Sequence, residues 1–325
     1  MKLITISFLL TTAILLTSCG NNKEKQVLLS KPISNHMGEL SSASGIAILN
    51  NSIYIVGDDV PWLYELDYDL NIIGRTQVSS IEKLLNGRTP KSMKADFEGA
   101  EIISNNNKFE IVIISSGSML HNRDTAHIVN ISEANITYSK NLRPLYEKIK
   151  FISNLPVDNE INIEGIAFSD EHAYLAHRGN VSENILVEID RDSFLNFIKG
   201  ITHIPDFKIY RYNLPIYNGI SSGFSGICLN PDKSGLLFTA SVEDTKNEIN
   251  DGKILCSFAG IIPFSGIMDN KLKTSILLNN KLPMGKKLEG ISVKSISEKG
   301  ALQIVTVCDN DDGTSDIITF NMEIR

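Results

Sequence analysis

The stretch Asn162-Ile163-Glu164-Gly165-Ile166-Ala167-Phe168 runs through a short turn into His172-Ala173-Tyr174-Leu175-Ala176-His177-Arg178-Gly179-Asn180. It joins a polar residue, a glycine and an apolar run to a turn, a β-rich strand and a closing polar cluster. The same order recurs five times, opening at Ser44-Gly45-Ile46-Ala47, Glu98-Gly99-Ala100-Glu101, Glu164-Gly165, Ser225-Gly226-Ile227-Cys228 and Glu289-Gly290-Ile291-Ser292. The glycines lie 54, 66, 61 and 64 residues apart. Second strands are read at 52–56, 109–114, 172–176, 236–240 and 302–307. Third strands follow at 62–67, 126–131, 185–190 and 255–263, and fourth strands at 72–78, 136–140, 208–212 and 273–278.

Four strands in roughly sixty residues are one blade of a β-propeller. The last unit offers only three, ending at 316–322, while a strand at 26–30 precedes the first unit. That N-terminal strand is placed to complete the last blade and close the ring. The expectation is all-β: one propeller over 26–325, with five blades, or six if a blade lies within the longer spacers. Helix signals are few, at 80–86, 142–150 and 192–199, the last with Asp192 as N-cap. They do not alternate with strands as a doubly wound sheet requires.

A propeller's first strands line its central channel and neighbouring strands alternate in direction. The start of each first strand therefore shares a face with the end of the second. Glu98, Glu164 and Glu289, with Ser44 and Ser225, are expected to ring one channel mouth. Around them fall Asp58, Asp59, Ser116, His177, Arg178, Glu243, Asp244, Asp309 and Asp311, with Lys94, Asp96, Lys286 and Lys287 on the entering loops. Carboxylates so close need cations or protons between them. Calcium is one answer, with Glu98, Glu164, Glu243, Asp244, Glu289 and Asp309 as candidate ligands. Interleaved Lys94, Arg178 and Lys287 are another, either neutralising the ring or holding an anionic group. A third is architectural, with the acids bonded to neighbouring blades.

Asp309-Asn310-Asp311-Asp312-Gly313 resembles an acidic calcium loop, but no glutamate stands at the spacing an EF-hand requires. The sequence carries no GxSxG elbow, P-loop, HExxH or dinucleotide fingerprint. His177 beside Arg178 is the best acid–base candidate, with Glu164 or Glu243 as its partner, although a hydrogen-bonded structural histidine is the commoner role for such a residue.

The 325 residues carry a formal charge of −7 and 42% hydrophobic residues, which suits a full core and excludes disorder. Without a long basic run, nucleic-acid binding is not expected. Lys2 precedes an apolar run over 3–16 and then Thr17-Ser18-Cys19-Gly20, which resembles the lipobox of bacterial lipoproteins. The expected division is a signal peptide at 1–18, a lipidated Cys19 opening a polar tether at 19–25, and a membrane-anchored monomer on the outer membrane. Cys228, Cys256 and Cys308 sit in apolar runs and are expected in the core rather than in disulfides.

The segment Ser222-Gly223-Phe224-Ser225-Gly226, through Ala240-Ser241-Val242-Glu243-Asp244-Thr245, resembles a family of secreted bacterial β-propellers. Asp96-Phe97-Glu98-Gly99, Glu164-Gly165 with His177-Arg178-Gly179-Asn180, and Leu288-Glu289-Gly290 carry the same likeness over nearly all of the mature chain. The family is similar to the phytase-like, esterase-like propellers. That implies calcium held by the carboxylates, phosphate held by Lys or Arg, and metal-bound water attacking a phosphoester. The chain departs from this pattern in lacking a dense basic cluster and in carrying Ser44 and Ser225 at two ring positions. Two readings follow: a binding lipoprotein whose mouth takes a small polar or anionic ligand or a protein partner, with calcium as a candidate bridge, and a calcium-dependent phosphoester or carboxyester hydrolase.

Overall fold

The computed structural model of the chain describes residues 26–81, 84–105, 108–156, 159–179, 182–245 and 252–325. The leader, Cys19 and the tether lie outside these residues, as does Asn180. The chain opens with β1 (Val27–Leu29) and β2 (Ile33–Met37). Blade one is β3 (Ala43–Leu49), β4 (Ser52–Gly57), β5 (Trp62–Leu66) and β6 (Ile72–Gln77). Blade two is β7 (Phe97–Asn105), β8 (Lys108–Ser115), β9 (Thr125–Asn130) and β10 (Asn135–Asn141), followed by helix α1 (Arg143–Ser153). Blade three is β11 (Ile163–Phe168), β12 (His172–His177), β13 (Asn184–Asp190) and β14 (Phe207–Tyr212), with helix α2 (Arg191–Ile198) inserted before its last strand.

A small hairpin, β15 (Ile216–Tyr217) and β16 (Ile220–Ser221), leads to blade four. That blade is β17 (Gly223–Leu229), β18 (Gly235–Asp244), β19 (Lys253–Pro263) and β20 (Lys273–Ile276). A second hairpin, β21 (Leu278–Asn279) and β22 (Leu282–Pro283), leads to β23 (Ile291–Ile296), β24 (Leu302–Asp309) and β25 (Ser315–Ile324) of blade five. The count is five. The longer spacers that left room for a sixth blade hold α1, α2 and the hairpins.

Strand composition follows position in the blade. Second strands are buried on both faces: β4 from Ile53 to Gly57 and β12 from Ala173 to His177 have no exposed residue. Outer strands meet solvent on one face, and β6 alternates half-buried and exposed. The ring closes as expected from the N-terminus, but with two strands. β1 pairs Val27 with Ile324 and Leu29 with Met322, and β2 pairs Ile33 with Thr319 and Met37 with Ser315. Between them lies Pro32, which has no N–H to donate to the ladder.

Two helix readings need correction. Asp190, not Asp192, caps α2, its side chain accepting from Ser193 N at 2.8 Å. The described part of 80–86 is not helical: Leu85 and Arg88 form a bridge around Asn86 and Gly87, both at positive φ. Cys228, Cys256 and Cys308 are free and buried. No helix among the described residues is long and apolar enough to cross a membrane.

Candidate functional site

The residue before each repeat glycine is displaced from the strand ladder. Register shifts fall between Ala43 and Gly45, Phe97 and Gly99, Ile163 and Gly165, and Phe224 and Gly226, so Ser44, Glu98, Glu164 and Ser225 are bulged. In blade five Glu289 stands just outside the ladder, its N–H donating to Val307 O at 2.9 Å. A bulge re-aims one side chain while the strand continues. Here the bulges leave Glu98 and Glu164 on the wall of the central cavity, and Glu289 joins them from just ahead of its strand.

The glycine beside each bulge has a packing reason. A Cβ on Gly226 would stand 2.4 Å from Glu289 O, and one on Gly290 would stand 2.4 Å from Ser44 O. Each first strand therefore touches the next through bare backbone. Below the mouth these glycines and the apolar residues after them leave a space of only about 10 Å³, at the lower limit for one water. The channel is a cup with a closed floor.

The cup has a volume of about 580 Å³. Lys94, Glu98, Glu164, Glu243, Lys287, Glu289 and Asp309 all line it, together with Asp58, Asp59, Asp96, Lys286 and Asp311. Six expected residues lie elsewhere, and three of them, Ser44, Ser116 and Ser225, are buried serines outside the lining. Asp244 is exposed at the end of β18 and is not in the lining. Arg178 lies behind the wall, 1% exposed, with its guanidinium 2.8 Å from Glu243 Oε2. His177 is fully buried, Nδ1 accepting from Asn162 N at 2.9 Å and Nε2 lying 3.2 Å from Ser182 Oγ. Burial lowers its pKa to about 4. Both ring nitrogens are engaged away from the cup, so this imidazole is placed as a brace.

Opposite charges are interleaved through the cup. Lys94 Nζ is hydrogen-bonded to Asp58 and lies 2.7 Å from Asp96 Oδ1. Arg123, 3% exposed, approaches Asp96 Oδ2 at 3.2 Å, and Arg88 holds Asp59 at 2.6 Å. Lys287 Nζ lies 2.9 Å from Glu289 Oε1 and 3.8 Å from Glu164 Oε2. Ser44 donates to Glu98, and Lys286 bonds both Asn310 and Asp316. The residues that sequence reasoning missed are mostly cations, Arg88, Lys91 and Arg123 on loops and Lys253 at the start of β19, which carry no repeat signal.

The balance shows in the titrations. Burial, with Glu164 and Asp96 nearby, holds the Glu98 carboxyl well above its usual range. Burial raises Glu289 to about 7 against the pull of Lys287, and raises Asp309 to about 7 with Glu289 and Asp58 adding to the effect. Asp58 rises to about 6 through burial, offset in part by Lys94. Asp96 is lowered, its burial outweighed by Lys94 and Arg123. Despite their own burial, Lys94 and Lys287 are held above the usual lysine range by the carboxylates around them.

A carboxyl raised in the folded state binds its proton more tightly there, so Glu289, Asp309 and Asp58 add stability as pH falls through about 7 and 6. His127 and His177, both lowered to about 4, work against this once unfolded histidine protonates near pH 6.5. Glu101, raised to about 8 by burial, acts in the same direction as the carboxyls, so moving from pH 8 to pH 6 is expected to raise unfolding free energy by about 2 kcal/mol or more, read by urea denaturation at each pH. A flat or rising profile toward pH 8 would contradict the placement of these carboxyls.

The acidic turn after β24 uses its side chains locally. Asp309 Oδ1 accepts from Asp311 N at 3.0 Å, and Asp312 Oδ1 accepts from Thr314 N at 3.0 Å. Asp311 and Gly313 have φ of 59° and 90°. These are turn bonds of the kind Asp forms in left-handed backbone.

Fold and site together define a five-bladed β-propeller with a blind, charge-paired cup at one channel mouth. The chain belongs to the DUF6929 family, a family of unknown function, whose sequence model matches residues 39–322. Among solved structures it is similar to the glutaminyl cyclase of Myxococcus xanthus, with a TM-score of 0.49 at 7% identity, covering 93% of this chain and 98% of that one. It is also similar to virginiamycin B lyase from Staphylococcus aureus, with a TM-score of 0.38 at 11% identity, covering 89% and 99%. No curated protein sequence matches the chain.

Proposed function

We propose that this protein is a binding lipoprotein of the bacterial envelope whose cup holds a small polar molecule. The carrying observation is the pairing inside the cup, where Lys94, Arg123, Lys287 and Arg88 each lie within ion-pair distance of a carboxylate. Such a surface is preorganised for recognition. It offers poor reactive groups: His177 is buried and bonded, and Cys308, the one sulfur in the lining, is pushed up to about 12 by burial and stays a thiol. Ser118 donates to Asp96 Oδ2 at 2.9 Å rather than to a base.

Calcium does not fit the acids as they stand. Among the described residues Asp58, Asp96 and Glu98 form the one group whose carboxylate oxygens all lie within 4.8 Å of one another. The Lys94 ammonium already bonds two of the three. A divalent cation there would have to displace it, so the phytase-like hydrolase is the competing reading.

The outer-membrane anchor through Cys19 rests on the leader and lipobox. It agrees with a folded domain whose first strand, β1, lies at the outer edge of blade five. The test is a set of melts of the full-length protein in detergent, with EDTA, with millimolar calcium, and with a panel of small polar metabolites, beside phosphoester and carboxyester assays. The expected result is a saturable upward shift with a metabolite, the same midpoint in EDTA and calcium, and no turnover. Calcium-dependent turnover that is lost in Glu164→Gln would replace this reading with the hydrolase.

A further inference from the structure

We propose that the cup is shaped for a neutral polyhydroxylated molecule, a polyol or a sugar of one or two rings, with one ligand hydroxyl held between Glu164 Oε2 and Lys287 Nζ. This deepens the binding reading above and rests on it. Glu164 has a side chain only 5% exposed, yet it lines the cup. Its Oε1 accepts from the Asn162 amide at 2.6 Å, whereas its Oε2 accepts no hydrogen bond. The nearest cationic nitrogens, on Lys287 at 3.8 Å and Arg178 at 4.0 Å, are beyond hydrogen-bond range.

A buried carboxylate oxygen without a donor is costly. The group that completes it must donate to Oε2 and accept from Lys287. A ligand ammonium would meet Lys287 and Arg178 as like charges. A ligand carboxylate or phosphate would meet Glu164 itself and Glu289, whose Oε1 is 2.9 Å from the same Lys287 Nζ. A hydroxyl donates, accepts and is uncharged.

The rest of the cup repeats that demand. Among the described residues its lining carries nine carboxylates and seven cationic side chains, interleaved rather than segregated, so a polyanion or a polycation finds no field of one sign. Among the described residues Ile254 is the one large aliphatic side chain in the lining and no aromatic ring joins it, so an apolar ligand gains little there. The volume of about 580 Å³ is in the range that encloses a small ligand.

Titration calorimetry of the full-length protein in detergent decides the matter, with myo-inositol, glucose and trehalose as neutral probes, myo-inositol hexakisphosphate as polyanion and spermidine as polycation. Saturable binding of a neutral probe is expected, with weaker or no binding of the charged ones. Glu164→Gln should lower that affinity at least tenfold. Its carbonyl keeps the Asn162 bond, but its amide turns donors toward Lys287, and a melt of the unliganded variant checks that it is folded. Preferential binding of the hexakisphosphate or of spermidine would overturn the polyol assignment and leave the cup a binding site. Polyol binding untouched by Glu164→Gln would overturn the placement at Glu164. Silence from all five probes and from the metabolite panel would overturn both this inference and the reading beneath it.

Discussion

Replacing Gly226 or Gly290 by alanine is expected to destabilise the protein by about 3 kcal/mol or more, at the upper end of what a single added methyl costs in a packed interior. The added Cβ on Gly226 would meet Glu289 O at 2.4 Å and Gly290 Cα at 3.0 Å; on Gly290 it would meet Ser44 O at 2.4 Å and Ile46 N at 2.8 Å. All four are backbone atoms of the next blade. No rotamer relieves the clash, so the ring must open locally or the first strands must shift. For a chain of this size such a loss lowers the melting midpoint by roughly 6–12 °C. Gly38→Ala is the matched control: nothing lies within 4 Å of its Cβ position, and the change should stay within about 0.5 kcal/mol. Urea denaturation of the three variants settles it. Equal, small effects in all three would show that the glycine ring tolerates side chains and that its spacing has another cause.

The same glycines explain why the fold was legible in the sequence. Each stands where one blade's first strand abuts the next, so the packing requirement repeats wherever a blade repeats. Where the residue before the glycine is a glutamate it lines the cup, which is why Glu98, Glu164 and Glu289 were found by pattern alone, whereas Ser44 and Ser225 stay buried outside the lining. The second strand of the closure was not. In β2, Ile33 is 64% exposed and Asn35 and His36 are polar, because β2 covers an edge and has no buried face to leave an alternating signature.

The cations of the cup divide along the same line. Lys94 and Lys287 lie on loops that enter a first strand, close in sequence to the repeat, and were visible. Arg88 lies early in the connection between blades one and two and Arg123 in a loop inside blade two, and what makes them part of the site is an ion pair across tens of residues, to Asp59 and Asp96. Such a pair leaves no mark on local periodicity. His177 illustrates the converse: its place at the end of a second strand left an acid–base role and a structural one both open, and its side chain, outside the cup lining, accepts a backbone N–H as the structural reading expects.

The calcium question turns on one nitrogen, and Lys94→Met addresses it. In the native protein the ammonium of Lys94 bonds Asp58 and stands 2.7 Å from Asp96 Oδ1. Removing one partner of a buried ion pair leaves uncompensated charge and costs about 3–5 kcal/mol. That loss is expected at pH 8. It should shrink toward pH 5.5, because Asp58, already raised to about 6 by burial against the pull of Lys94, takes up a proton more readily once the ammonium is gone. Asp96 keeps Arg123, Ser116 and Ser118, so the variant retains a folded cup in which to measure binding. It also presents Asp58, Asp96 and Glu98, with oxygens within 4.8 Å of one another, to solvent cations for the first time. Millimolar calcium should therefore raise the melting midpoint of Lys94→Met while leaving the native protein unmoved, since only binding that favours the folded state shifts the transition. The opposite pattern, a native protein strongly stabilised by calcium and a variant indifferent to it, would mean that Lys94 assists a resident cation instead of standing in its place, and the metal-dependent reading of the cup would take precedence.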